Sequence, residues 1–306
     1  LRFYPALSMT TKHFLNLRDL SNKDILNILD RGIERKCQKQ KEKTLLGSKL
    51  GLIFEKPSTR TRISFESGIL NLGGNAIFMS SSDLQLSRGE PVSDTAKVSS
   101  SMLDIFALRV DKHETLEIFA ANSSVPVINA LSDLSHPCQI LADLMTYKEI
   151  SANKLEKVCW IGDGNNVCNS YIEASKILDF ELSIFCPKEH SPNPSFLEFA
   201  KETTSFANSR EKAAKGADII TTDVWVSMGD KKTKEKAFEG YFVDTELIEN
   251  TGKKSIFLHC LPAHRGQEIT FELMEHPSSK VLEQAENRMH VQEALIENLL
   301  GQNFTD

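Results

Sequence analysis

Short apolar runs that alternate with helical patterns constrain the fold of this chain more than any other feature. A continuous apolar strand followed by a helix is typical of parallel sheets that are covered on both faces. The predicted strands are 50–54, 75–79, 105–110, 125–130, 157–162, 181–186, 218–224 and 255–260. The predicted helices include 63–72, 92–102, 139–148, 171–178 and 194–203. The alternation therefore predicts an α/β protein built on parallel sheets.

A polar segment at 149–156 divides the eight predicted strands into two groups of four. A closed barrel of eight strands is the alternative, but the central break favours two doubly wound domains, each a mainly parallel sheet flanked by helices. A final helix is predicted over 280–300, and we expect it to pack back on the first domain. The expected division is 9–148 with 286–306 for the first domain and 149–285 for the second, after a non-native or disordered leader at 1–8.

The composition argues against several classes of function. A net charge of −6 and an isoelectric point of about 5.8 disfavour nucleic acid or an anionic membrane as the main partner. The sequence has no apolar run approaching the roughly 18 residues that a membrane span needs. Its six cysteines include no pair with CxxC spacing, so neither a zinc site nor a thioredoxin-like redox motif is indicated. These features fit a reducing cytoplasm.

Residues 54–62 read Phe-Glu-Lys-Pro-Ser-Thr-Arg-Thr-Arg and connect the first predicted strand to a helix. Ser58 or Thr59 is a natural N-cap, and the free N–H groups and dipole of a helix start favour an anion. Arg60 adds a planar fork that matches phosphate oxygens, whereas Arg62, two positions on, must face another way. The segment lacks the glycines of a nucleotide P-loop. It predicts a small-phosphate site, with a capped helix and solvated arginines as the alternative.

Two other segments of the first half place polar groups just after predicted strands. His136 and Gln139 are three positions apart at a helix start, so they share a face. An imidazole there can hydrogen-bond a carbonyl oxygen, and the glutamine amide can bind the other side of a urea-like group. A capping histidine with a surface glutamine explains the pair equally well. Arg109 ends another apolar run, where a lone arginine usually just reaches solvent.

The second half carries candidate groups for a second substrate. Asn165 and Asn166 follow a strand and can bind the amino and carboxyl groups of an amino acid, although a plain strand-to-helix turn is as good an explanation. The turn lacks a dinucleotide-binding GxGxxG pattern. Asp223 precedes a glycine-containing loop and suits a cationic ligand beneath a mobile lid. Cys260 ends the last strand, where an inert core thiol is the simpler interpretation.

Together, these segments resemble the aspartate/ornithine carbamoyltransferase family. Ser-Thr-Arg-Thr-Arg at 58–62 is similar to the family's carbamoyl-phosphate motif, and His-Pro-Cys-Gln at 136–139 to its carbamoyl-holding pair. His-Cys-Leu-Pro at 259–262 matches the motif in which the family has a cis Leu–Pro bond. Asp-Val-Trp-Val-Ser-Met-Gly at 223–229 resembles the ornithine-binding segment, where aspartate-specific relatives carry basic residues. The resemblance therefore favours the ornithine branch.

The resemblance implies transfer of a carbamoyl group from carbamoyl phosphate to the δ-amine of L-ornithine, giving L-citrulline and phosphate without a metal or organic cofactor. It also implies a homotrimer with shared active sites. The implied catalytic residues are Arg60, Arg109, His136, Asp223 and Cys260. The implied carbamoyl-phosphate ligands are Ser58, Thr59, Arg60, Thr61, Gln85, Arg109, His136, Gln139, Cys260, Leu261 and Arg288. The implied ornithine ligands are Asn166, Asp223, Ser227 and Met228.

Alternatives remain within and outside this family. Many relatives have a lysine where Gly89 falls, and Arg88 is expected to replace its charge. A sister enzyme that uses putrescine or N-acylated ornithine is the nearest rival. A non-catalytic phosphate-binding module is the rival from another class. The sequence does not distinguish arginine synthesis from breakdown, because both use the same chemistry.

Overall fold

A computed structural model of the chain, which describes residues 11–80, 82–84, 89–226 and 232–301, contains two separate parallel sheets. The first sheet has the order β2-β1-β3-β4 and the second β7-β6-β5-β8-β9, in the numbering that follows. The strands are β1 (Lys49–Phe54), β2 (Asn75–Ser80), β3 (Ile105–Arg109), β4 (Val127–Leu131), β5 (Lys157–Ile161), β6 (Glu181–Phe185), β7 (Thr204–Phe206), β8 (Ile219–Thr222) and β9 (Ile256–His259). Two sheets confirm the two doubly wound domains and exclude a single barrel.

Helices cover the sheets and connect their strands, as the alternation predicts. They are α1 (Asn22–Cys37), α2 (Thr59–Asn71), α3 (Val92–Ser100), α4 (His113–Asn122), α5 (Pro137–Ile150), α6 (Asn166–Leu178), α7 (Pro194–Phe199), α8 (Arg210–Ala214), α9 (Thr245–Glu249) and α10 (Val281–Leu299). In the described part of the chain, none of the helices is both long and apolar enough to cross a bilayer.

The final helix packs on the first domain, as predicted. Helix α10 contacts α1, α2 and α5, and only weakly the end of β9. Arg35 of α1 is fully buried, and its Nε donates to Glu293 Oε2 of α10 at 2.9 Å. Helix α5 is almost wholly buried because it packs on α10, on α6 and on β4. It therefore lies between the two sheets and connects them.

Several predicted element boundaries were wrong. Helix α2 begins at Thr59, so Ser58 takes the predicted N-cap position, without a side-chain capping hydrogen bond, whereas the helical pattern placed the start at residue 63. Strand β4 begins only after Pro126, which cannot donate a ladder hydrogen bond. Strands β8 and β9 end at Thr222 and His259, so the polar residues that follow lie in loops. The edge strand β7 was not predicted because it is short and largely exposed.

Candidate active site

The carboxyl ends of six strands, three from each sheet, open on one cleft of about 790 Å³. Open α/β sheets bind ligands at this edge. The predicted site residues that line the cleft are Ser58, Thr59, Arg60, Thr61, Arg109, His136, Asn166, Asp223, Cys260, Leu261 and Arg288. Gln85, Arg88, Ser227 and Met228 lie outside the described residues. The structure thus brings together nearly every described member of the predicted set.

The start of α2 forms one wall of the cleft. Arg60 reaches across it, and its Nη2 donates to the carbonyl oxygen of Leu261 at 2.6 Å. Arg62 points away, pairs with Glu66 at 2.9 Å and stacks over the ring of Phe78. This arrangement confirms that one arginine faces the site while the other supports the fold. The Leu261–Pro262 bond is cis, as expected.

Three arginines make this end of the cleft strongly positive. Burial, with the nearby charge of Arg60, lowers the pKa of Arg109. Burial likewise lowers the pKa of Arg288 to about 10. Arg288 Nη2 donates to Thr61 Oγ1 at 2.8 Å, but the buried Nε atoms of Arg109 and Arg288 have no acceptor among the described residues. Buried donors normally have partners, so this end of the cleft is suited to a multiply charged anion.

His136 lies beside the arginines and remains neutral. Its backbone N donates to Ser170 Oγ of α6 at 2.8 Å, which fixes the start of α5. Burial, followed by the charges of Arg288 and Arg109, lowers the pKa of the imidazole well below 6.5. Its Nδ1 is buried and has no partner in the described part of the chain. A neutral imidazole donates one hydrogen bond, which suits a carbonyl oxygen.

The cleft also carries a carboxylate paired with a thiol. Asp223 Oδ1 accepts hydrogen bonds from Cys260 Sγ at 3.1 Å and from the backbone N of Val224 at 2.8 Å. Asp223 Oδ2 accepts from Asn165 Nδ2 at 2.7 Å. Burial and the charge of Asp223 raise the pKa of Cys260 well above 9, so the sulfur is a thiol at neutral pH. The Asp223 carboxylate, beside a neutral thiol, suits a cationic group.

The two asparagines after β5 have different tasks. Asn165 caps α6, because its Oδ1 accepts from the backbone N of Val167 at 3.0 Å while its amide holds Asp223. Asn166 lines the cleft, and its Nδ2 donates to the carbonyl oxygen of Ser132 at 2.7 Å. The turn itself requires glycine, because Gly162 has φ +125°. The turn and ligand-binding interpretations are therefore compatible.

Gln139 is the described candidate that does not line the cleft. Its side chain is buried behind His136 on α5, and its Nε2 donates to Asp143 Oδ1 at 2.8 Å. The sequence predicts Gln139 as a ligand contact but gives no sign of its partner Asp143. No local pattern marks Asp143, because its partners come from distant segments.

The cleft lining also contains charged residues that the sequence analysis did not predict as site residues. Lys56 and Asp111 pair at 2.9 Å, and Lys234 Nζ donates to Asp163 Oδ2 at 2.6 Å. Lys56 and Asp111 adjoin the segments already singled out, so their position after a strand was a usable signal. Lys234 lies in a lysine-rich polar stretch that carries no such signal.

One group of described residues could hold a metal ion. Ligand atoms of Asp223, His259 and Cys260 lie within 4.8 Å of one another. However, His259 Nδ1 already accepts a hydrogen bond from Leu261 N at 2.9 Å, and its Nε2 lies 3.3 Å from Glu268. Both ring nitrogens of His259 therefore face protein groups, and these contacts explain its position without a metal ion.

Fold and cleft together define a two-domain α/β enzyme whose cleft holds both an anion site and a carboxylate. The sequence matches the models of two domains of aspartate/ornithine carbamoyltransferase, the carbamoyl-P binding domain over residues 12–149 and the Asp/Orn binding domain over 154–299. The chain belongs to the aspartate/ornithine carbamoyltransferase family.

Named relatives and solved structures agree with this assignment. The chain is 52% identical over 303 residues to the ornithine carbamoyltransferase of Acinetobacter baylyi, covering 96% of this chain and 99% of the relative. It is 47% identical to that of Pseudomonas syringae pv. tomato, with 97% and 99% covered. The crystal structure of the anabolic ornithine carbamoyltransferase from Campylobacter jejuni shares 46% identity and a TM-score of 0.90, with 95% and 100% covered.

Proposed function

We propose that this chain is an ornithine carbamoyltransferase, which transfers the carbamoyl group of carbamoyl phosphate to the δ-amine of L-ornithine and releases L-citrulline and phosphate. The observation that carries the proposal is that a single cleft holds three arginines together with an Asp223–Cys260 pair. The arginines suit a phosphate, and the carboxylate of the pair suits an amine. The relatives' names support ornithine as the acceptor.

Carbamoyl phosphate binds at the start of α2. Its phosphate is held by the helix N-terminus with Ser58, Thr59 and Thr61, and by Arg60, Arg109 and Arg288. Gln85 adds a further contact. His136 donates to the carbamoyl oxygen, and Cys260 and Leu261 line the cleft beside the carbamoyl group. Gln139 does not line the cleft, and its buried amide oxygen approaches the carbamoyl nitrogen from behind His136. Because His136 is neutral, it stabilises charge that develops on the oxygen without competing with the arginines for the phosphate.

Ornithine binds beside the Asp223–Cys260 pair. Asp223 attracts the δ-ammonium group, and Asn166, Ser227 and Met228 bind the amino-acid end. A side-chain ammonium of this kind has an ordinary pKa of about 10.4, so it must lose a proton before it attacks. Its nitrogen then forms a bond to the carbamoyl carbon, and the bond from that carbon to the phosphate oxygen breaks. The leaving phosphate carries away the electron pair and is a suitable acceptor for the amine proton.

The finer organisation is part of the same proposal. The carbamoyl-phosphate domain comprises 9–148 with 286–306, and the ornithine domain 149–285. The enzyme is a cytoplasmic homotrimer of arginine metabolism with active sites shared between subunits. The free cysteines among the described residues support the reducing compartment.

A substrate panel tests the proposed function. We expect the purified protein to form citrulline from carbamoyl phosphate and ornithine, with little product from putrescine, N-acetylornithine or aspartate at equal concentration. Faster carbamoylation of putrescine or N-acetylornithine would assign the chain to a sister activity. Tight phosphonate binding without turnover of any amine would assign it to a binding module.

A further inference from the structure

Asp143 is a buried carboxylate that joins three helices beside the active site. Its Oδ1 accepts hydrogen bonds from Gln139 Nε2 of α5, at 2.8 Å, and from Gln284 Nε2 of α10. Its Oδ2 accepts from the hydroxyl of Tyr171 of α6 at 2.5 Å. Its side chain is only 1% exposed. Every direct contact that holds it is therefore a donor aimed at one of its two oxygens.

This arrangement determines which way the Gln139 amide faces. A carboxylate only accepts hydrogen bonds, so it requires the NH₂ end of the glutamine amide. The amide oxygen Oε1 must then point away from Asp143. That oxygen is buried, and none of the described residues donates to it. Gln139 thus offers a bare acceptor one helical turn behind His136, which lines the cleft.

Asp143 retains this acceptor role at neutral pH. Burial raises its pKa to about 6, opposed by the hydrogen bonds from Tyr171, Gln139 and Gln284 and by the charge of Arg288. The carboxyl is therefore mainly ionised at pH 7.5. The charged and titratable groups facing it come from α6 and α10, so both domains contribute to the fixed geometry.

We propose that Asp143 is a positioning residue that locks the Gln139 amide with its oxygen toward the carbamoyl group, so that the site selects a substrate NH₂ over a methyl group of the same size. The inference rests on the proposed function, because it assigns Gln139 to the carbamoyl nitrogen. The inference adds a physical origin for the selectivity for an NH₂ group over a methyl group. A freely rotating amide would accept or donate equally well, whereas the locked amide rejects an acyl phosphate that has no N–H at this position.

Two phosphonate analogues of carbamoyl phosphate test the proposal, and in both the group that replaces the carbamoyl group is uncharged. Phosphonoacetamide carries the NH₂ group, and acetonylphosphonate carries a methyl in its place on the same phosphonate. Leaving the buried glutamine oxygen unpaired should weaken acetonylphosphonate binding by roughly tenfold in the unmodified enzyme. In Asp143→Leu the amide loses its fixed acceptor, and this preference should fall to about twofold or less. A purely structural role would weaken both analogues equally and leave the ratio unchanged.

Asp143→Asn is the matched control. Its single amide oxygen can still accept from both glutamines while the Tyr171 hydroxyl turns to accept from the new NH₂, so the preference should return. If Asp143→Leu does not melt cooperatively, Asp143→Ala replaces it, because a water in the space donates or accepts and does not orient the amide.

The outcomes separate the two proposals. If neither analogue binds the unmodified enzyme, the proposed function is wrong. If the unmodified enzyme prefers the amide and the leucine or alanine variant does so equally, Asp143 does not orient Gln139 and the inference is wrong. Loss of the preference in the asparagine variant as well would assign the effect to charge, and would also overturn the inference.

Discussion

Arg60 lies at the centre of the anion end, and its replacement by alanine should reduce turnover far more than stability. Its Nη2 donates to the Leu261 carbonyl at 2.6 Å, and the side chain lines the cleft with Arg109 and Arg288. Removing one of several electrostatic stabilisers of a transition state lowers kcat by roughly 10²–10³-fold. Two arginines remain, so activity should be strongly reduced but not abolished.

The effect of Arg60→Ala on stability should be small. The side chain is partly exposed and makes one backbone hydrogen bond in the described structure, so the free energy of unfolding should fall by about 1 kcal/mol. Citrulline formation at saturating substrates measures the first effect, and urea unfolding measures the second. Arg62→Ala is the control, because Arg62 pairs with Glu66 near the surface, away from the cleft.

Two results would refute this reasoning. If Arg60→Ala keeps turnover within about threefold of the unmodified enzyme, Arg60 is not a major electrostatic stabiliser of the transition state, because removal of such a group lowers kcat by roughly 10²–10³-fold. If Arg62→Ala loses turnover to the same degree, the effect belongs to the start of α2 as a whole and not to the cleft. Thermal denaturation of both variants excludes unfolding as the cause.

Three further predictions concern buried titratable groups. Asp223→Asn should raise the KM for ornithine by roughly tenfold and spare that for carbamoyl phosphate, since it removes the carboxylate that attracts the amine; equal changes in both values would contradict this. The lowered pKa of His136 means that the unfolded chain binds a proton as pH falls through 6.5 while the folded chain does not, so stability should decline below that pH. His136→Gln should weaken this decline in thermal denaturation, and an unchanged pH dependence would refute the assignment. Glu293→Gln should lower the free energy of unfolding by about 3 kcal/mol in urea, because the buried Arg35 loses its close carboxylate; a loss no larger than that of the partly exposed control Glu66→Gln would contradict it.

Local pattern was sufficient to predict most of the fold. Strands β1, β3, β5 and β9 are buried on both faces and so read as continuous apolar runs. The edge strand β7 packs little and carries no such run. Its pairing depends on β6, which a pattern along the chain does not reveal.

Local pattern likewise predicted some residues of the site and not others. Residues that directly follow strands could be found because parallel strands place their carboxyl ends at one edge. Contacts between distant segments could not be read from local pattern. Thr61 meets Arg288 across 227 positions, and Asp143 meets Gln284 across 141. Asp143 has an ordinary position within a helix, and only the packing of α5, α6 and α10 gives it a task.

The return of α10 to the first domain affects the order in which this protein can mature. During synthesis, α1 and α2 emerge long before the helix that packs on them, since Arg35 and its partner Glu293 are 258 positions apart. Domains generally fold as units during translation, but this one lacks a structural helix until residues 281–299 have been synthesised. Arg288 arrives on the same helix. A chain that stops before residue 281 would therefore have its first sheet and its Ser-Thr-Arg-Thr-Arg segment, yet an incomplete anion site. Anion binding would distinguish polypeptides that include α10 from those that end before it.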